Sequence, residues 1–233
     1  MFLTKWYFDC VDDAGNICIA YWAQLSWKTL AVSYCAVMLN RGGATESRDH
    51  FFAVAPPSLD GDALTWSAAP LHVAVTMRRR APAYEESLID GVAWRCEMPS
   101  ADAEIVCGDT IVRGSGYAER LQLDVAPWKL PIDELRWGRF AGSRFAVTWI
   151  DWRGAHPLTR IVINGERGEG VKLITSDRRV IRDALLGDTV SLPGLPKRIT
   201  GARETKWCAR ATAMHGDDIL ERGWAVYELV KFA

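Results

Sequence analysis

Gly114-Ser115-Gly116-Tyr117-Ala118-Glu119-Arg120-Leu121 sets aromatic, acidic and apolar residues at every second position after a pair of glycines. Successive side chains of an extended chain point to opposite sides. Tyr117, Glu119, Leu121 and Leu123 therefore share one face, and Ala118, Arg120 and Gln122 the other. The result is a carboxylate on an apolar stripe. The same reading of Phe145-Ala146-Val147-Thr148-Trp149-Ile150-Asp151 puts Asp151 in line with Phe145, Val147 and Trp149. In Gly223-Trp224-Ala225-Val226-Tyr227-Glu228 it puts Glu228 in line with Trp224 and Val226. Such acids either face an aromatic-walled cavity or sit at strand ends, solvated or paired with an arginine such as Arg120, Arg139 or Arg153. Together these strands predict a ligand-lined β-barrel.

Outward from this stretch, short alternating runs recur, among them Lys5 to Asp9, Ile17 to Gln24, Leu71 to Met77, Arg160 to Ile163 and Thr205 to Thr212. Turn clusters separate them, for example Asn40-Arg41-Gly42-Gly43, Asp60-Gly61-Asp62 and Asn164-Gly165. This is the spacing of an all-β protein. Two antiparallel β-barrel or sandwich halves are expected, over residues 1–123 and 137–233, joined through a linker that holds Pro127 and Pro131. A short internal echo supports two halves: Gly116-Tyr117-Ala118 against Gly223-Trp224-Ala225, and Trp6-Tyr7-Phe8-Asp9 against Trp149-Ile150-Asp151-Trp152. Short helical pieces are expected at Pro131 to Leu135 and Asp177 to Leu186.

Composition narrows the function. Lys plus Arg of 28 against Asp plus Glu of 29 leaves a net charge of -1, so the chain has no footprint for nucleic acid or an anionic membrane surface. Arg78-Arg79-Arg80 reads as a solvated strand end. No run spans a bilayer, and the start of the chain lacks a basic region followed by an apolar one, so a cytoplasmic location is expected. Eleven Trp favour a site for a hydrophobic small molecule. The six cysteines form no Cys-x-x-Cys pair and read as reduced core residues, with Cys10 and Cys18 able to face each other across a hairpin. The four histidines have no ligand spacing, and no phosphate-binding loop or nucleophile elbow is present, so neither a metal nor a nucleotide cofactor is expected.

Several segments carry a family likeness. They are Trp6-Tyr7-Phe8-Asp9 with Gly15 and Tyr21-Trp22, the central Gly114 to Glu119, Pro127-Trp128, Trp137-Gly138-Arg139-Phe140, and the closing Gly223-Trp224. In these the chain resembles the lipocalin-like family that contains carotenoid hydratase (hydroxyneurosporene synthase), AttH and related cyclases. The resemblance implies a pair of lipocalin-like β-barrels and action on a hydrophobic terpenoid or polyketide substrate without a redox cofactor. Protonating an alkene requires a carboxyl whose pKa is raised by an apolar cavity, and Glu119 and Asp151 are the candidates for that acid. Trp6, Tyr117, Trp149 and Trp152 would stabilise positive charge developing on the substrate. Tyr7, Tyr21, Arg139, Trp224 and Glu228 complete the expected substrate-binding set. The alternative is a carrier of the same fold that binds such a molecule unchanged. Acids on apolar stripes favour the enzyme, because a carrier gains little from burying a carboxylate.

Overall fold

The computed structural model of the protein describes residues 2–51, 54–188 and 197–233. The chain divides into two compact units, Met1–Val125 with Asn164–Glu166, and Ala126–Ile163 with Arg167–Ala233. The first unit contains β1 (Phe2–Val11), β2 (Ile17–Trp27), β3 (Leu30–Arg41), β4 (Ala44–Phe51), β5 (Ser58–Asp60), β6 (Ala63–Ala68), β7 (Val73–Arg79), β8 (Tyr84–Ile89), β9 (Val92–Cys107) and β10 (Thr110–Leu123). Their order in the sheet is β4-β3-β2-β1-β10-β9-β7-β6-β5, with β8 also on β9. After them come β11 (Glu134–Ala141), β12 (Ala146–Arg153), β13 (Leu158–Ile163), β14 (Glu166–Arg167), β15 (Val171–Leu185), a single helical turn α1 (Lys197–Thr200), β16 (Arg203–His215) and β17 (Asp218–Lys231). These strands form a second sheet of order β14-β13-β12-β11-β17-β16-β15. The described pairings of both sheets are antiparallel, as the turn-punctuated sequence predicts.

The two sheets follow one plan. In each, a meander of four consecutive strands is joined through its first strand to the last strand of the unit, β1 to β10 and β11 to β17. This pairing explains half of the internal echo. Phe8 lies opposite Ala118 and Phe140 opposite Ala225, and all four side chains are fully buried, the small residue making room for the ring. The glycine two residues before each alanine allows close backbone approach: a Cβ on Gly116 would lie 2.4 Å from Ala103 Cβ, and one on Gly223 2.3 Å from Ala141 O. Gly223→Ala is therefore expected to cost about 1–3 kcal/mol, because a backbone carbonyl rather than a flexible side chain must move; chemical denaturation measures it. The other half of the echo fails. Trp149 to Trp152 belong to β12, whereas the strand that occupies the place of β1 is β11, with Trp137 to Phe140.

No described pairing joins the two ends of either strand path, so both ladders are open. The first sheet nonetheless curls: Arg41 of β3 reaches Thr110 at the start of β10, and Arg48 of β4 reaches Cys107 at the end of β9. Inside the curl, Trp6, Phe8, Trp22, Trp66, Met77, Met98 and Ile105 form a buried core. Several tryptophans thus pack rather than line a site. The helical pieces expected at Pro131 to Leu135 and Asp177 to Leu186 are not formed: Glu134 and Leu135 open β11, and residues 177–185 continue β15. Pairing with β16 overrides the local preference, and the irregularity shows instead as a register shift between Ser176 and Arg179 with Asp177 at φ 50.

Candidate functional site

On the side of the first sheet away from that core, one rung runs Ala36, Tyr21, Tyr7, Glu119, Cys96 and Tyr84 across β3, β2, β1, β10, β9 and β8. The next rung pairs Asp9 with Tyr117. β1 thus presents Tyr-x-Asp and β10 presents Tyr-x-Glu, and because the strands are antiparallel each tyrosine stands beside the other strand's acid. Each hydroxyl also serves the acid two residues along its own strand. Tyr7 OH donates to Asp9 Oδ2 at 2.9 Å and Tyr117 OH to Glu119 Oε2 at 2.7 Å. Trp94 Nε1 donates to the same Glu119 oxygen at 2.7 Å.

Aromatic rings enclose the two acids. Tyr7 meets Tyr21 edge-on at 5.3 Å and Tyr117 at 6.1 Å, and Tyr84 leans on Trp94 at 5.8 Å. Asp9 and Tyr117 are completely buried. Desolvation, and then the neighbouring Cys96 and Glu119, push the Tyr117 hydroxyl well above its ordinary range, so it remains a neutral donor. The site sits where the β9–β10 ladder is irregular, with register shifts between Gly116 and Ala118 and between Ala118 and Glu119. Pro99 of β9, which has no N–H to give to the ladder, lies in that stretch, and such irregularities re-aim the side chains beside them. Glu97, also in that stretch, turns to the other side, where Arg95 at 2.8 Å and Arg120 at 3.3 Å compensate its charge.

Of the expected site residues, the structure brings Tyr7, Tyr21, Tyr117 and Glu119 together. Trp6 is not with them: it projects into the core, stacked on Phe8 at 5.9 Å under the Arg120 guanidinium. Asp9, Trp94, Cys96 and Tyr84 are additions. Asp9 and Tyr84 had a readable signal, because Tyr7-Phe8-Asp9 and Tyr84-Glu85-Glu86 each space a phenol and an acid by two, as Tyr117-Ala118-Glu119 does.

The remaining residues belong to the second unit. Trp149, Tyr227 and Trp207 form a row of rings, with centroids 6.4 Å and 5.3 Å apart, and the Trp149 ring lies across Gly138. Asp151, at the end of the Trp149 stripe, accepts from Arg153 Nε and Nη2 at 3.2 Å each and from Thr159. This is the arginine pairing of an acid at a strand end. Trp152 is buried on the opposite face of β12 from Trp149. Arg139 is fully buried and donates to Trp224 O at 3.3 Å, while the Trp224 ring lies under Arg210 at 4.7 Å. Glu228 is ion-paired to Lys206, which also meets Glu204 at 3.1 Å. By strand pairing, the places of Tyr7, Asp9, Tyr117 and Glu119 are taken in this unit by Arg139, Ala141, Trp224 and Val226. The phenol and carboxylate box is therefore not repeated there. Among the described residues, no three His, Cys, Asp or Glu side chains are grouped to hold a metal ion.

No family model matches the sequence, and no curated protein matches it. Solved structures do match along the chain. CghA with bound Sch210972 has a TM-score of 0.65 at 11% identity, over 100% of this chain and 89% of that one. Kievitone hydratase from Nectria haematococca has a TM-score of 0.59 at 9% identity, over 98% and 88%. An AttH-like protein (NE1406) from Nitrosomonas europaea has a TM-score of 0.58 at 9% identity, over 99% and 93%. At these identities the likeness is one of fold. AttH was among the relatives that the sequence motifs suggested, and its structural counterpart carries this fold.

Proposed function

We propose that the protein is a cofactor-independent enzyme of the lyase or isomerase kind, acting on a hydrophobic terpenoid or polyketide molecule at the Tyr7, Asp9, Trp94, Tyr117 and Glu119 face. The observation that carries this reading is the convergence of Trp94 and Tyr117 on one oxygen of Glu119, beside a second tyrosine and acid pair. A carboxylate held by two donors is fixed in direction and accepts protons, and a neutral phenol next to it gives one. A proton taken from one atom of a substrate and returned to another changes no oxidation state. Cyclisation and isomerisation conserve the substrate's atoms; hydration and dehydration add or release water. Ring faces of Tyr7, Tyr21 and Trp94 would stabilise developing positive charge, by about 0.5–2 kcal/mol each according to exposure. On this reading Glu119 accepts a proton from the substrate or anchors its polar end, and Asp151, which accepts from Arg153, is not used. The fold shared with kievitone hydratase and with CghA bound to Sch210972 supports small-molecule chemistry.

The test is incubation of the exhaustively chelated protein, with no nucleotide or flavin added, with a panel of terpenoid and polyketide alkenes, followed by mass spectrometry. The expected product has the mass of its substrate or differs by one water. Activity lost on chelation and restored by one metal would overturn the cofactor-free reading, and tight binding without conversion would establish a carrier.

A further inference from the structure

One face of the second sheet is apolar and only partly covered. Phe140, Val147, Ala211, Ala213 and Ala225 are buried in it, and Trp149, Ile161, Leu173 and Tyr227 pack on them while staying half-exposed. Small residues in the floor beside large, half-exposed ones give a face that can take an apolar solute. By strand pairing, one rung crosses this face as Ile161, Trp149, Gly138, Tyr227, Trp207 and Val180. Trp207 stacks on Tyr227 with 23° between their planes, so the rings cover one another's faces and offer their edges, the positive part of an aromatic ring. Among the described residues, the ring N–H groups of Trp149 and Trp207 and the Tyr227 hydroxyl have no hydrogen-bond partner.

Arg178 closes one end of the row, with its guanidinium over the Trp207 ring at 5.5 Å. A bulge puts it there. Ser176 pairs with Arg210 and Arg179 with Cys208, so Asp177, at φ 50, and Arg178 together oppose Ala209 alone. Such an extra residue re-aims the side chains beside it. Arg178 makes no ion pair among the described residues, with its neighbour Asp177 or with any other acid. The charges on the next rung of the same face are matched: Asp151 with Arg153, Arg136 with Glu134 and Asp183 with Arg203. The open polar groups are thus donors, and they include one cation without a counter-ion. A planar guanidinium suits a carboxylate, which it can hold through two hydrogen bonds.

We propose that this face of the second sheet binds a hydrophobic carboxylate, with Arg178 on the carboxylate and Trp149, Tyr227 and Trp207 against the apolar body. The site lies on a different sheet from Tyr7 and Glu119 and holds whether or not Glu119 is catalytic. Pyrene-1-butyrate and its methyl ester, titrated against the full chain and read by fluorescence anisotropy, test it. The acid is expected to bind at least about ten-fold more tightly than the ester, as a hydrogen-bonded charge requires. Arg178→Met keeps a stem over Trp207 and removes the charge of an exposed residue, so the protein should stay folded. It should weaken binding of the acid about ten-fold and leave that of the ester unchanged. Photo-crosslinking of the unaltered protein with 4-benzoylbenzoate locates the site, and the label is expected on peptides that carry Trp149, Leu173 or Tyr227. Equal affinity for acid and ester, unchanged affinity in folded Arg178→Met, or label confined to residues 2–123 would overturn the proposal. So would a stable dimer that binds neither compound, since a second copy of the chain would then cover this face.

Discussion

Glu119→Gln is expected to lower turnover by about 10²- to 10⁴-fold while the protein stays folded, the usual loss when a positioned proton-transfer group is removed. The amide keeps the shape of the side chain, and its oxygen still accepts from Trp94 Nε1 and Tyr117 OH, so neither buried donor is orphaned. Stability should change by about 1 kcal/mol or less. The contrast between a large kinetic effect and a small thermodynamic one separates catalysis from support. Tyr117→Phe keeps the ring against Tyr7 and removes only the donor, so it should lower kcat more than it raises KM if the phenol acts in the reaction. The Tyr117 hydroxyl is also expected to remain a donor as pH rises through about 10, where a free tyrosine ionises. Its folded pKa is raised, so its neutral form contributes stability in full below the unfolded pKa, and that contribution is lost progressively as pH rises from there through the higher folded value. Stopped assays and urea titrations of both variants decide the matter. Full activity in folded Glu119→Gln would leave this carboxylate as a support for Trp94 and Tyr117.

What the sequence showed here is what a period of two can show. Alternation put Tyr117, Glu119 and Leu121 on one face, and the structure has the Tyr117 hydroxyl on the Glu119 carboxylate. Register is a different kind of information. Tyr7 lies opposite Glu119 because β1 pairs with β10, strands more than a hundred residues apart in the chain, and no turn between them announces that pairing. Trp94 was missed for a related reason: it comes beside Glu119 only because β9, which runs unbroken from Val92 to Cys107, pairs with β10. The same limit explains Trp6 and Asp151. Trp6 is one residue from Tyr7 and so faces the other way, into a core that only the curl of the sheet creates. Asp151 shares its stripe with Trp149, but its position at the strand end and the neighbouring Arg153 decide what it binds.

Lys206→Met is expected to be among the most damaging single changes outside the candidate site. Lys206 is 2% exposed on β16, directly across from Glu228 of β17, to which it is ion-paired, and it meets Glu204 at 3.1 Å. Arg182 holds the other oxygen of Glu204 at 2.8 Å, so two cations balance two carboxylates. Removing one partner of a buried pair leaves a charge with neither water nor counter-ion, and costs about 3–5 kcal/mol. For a chain of 233 residues that corresponds to a fall in Tm of roughly 6–20 °C. Hydrophobic surface does not offset this, although methionine matches the length of the lysine stem. The double variant Lys206→Met, Glu228→Gln removes one cation and one anion together and should recover a large part of the loss, since the penalty lies in the imbalance. A coupling close to zero in that cycle, read by calorimetry, would mean that water reaches the cluster. In that case Glu228, the third acid singled out by its apolar stripe, would again be available to a ligand rather than committed to holding β16 and β17 together.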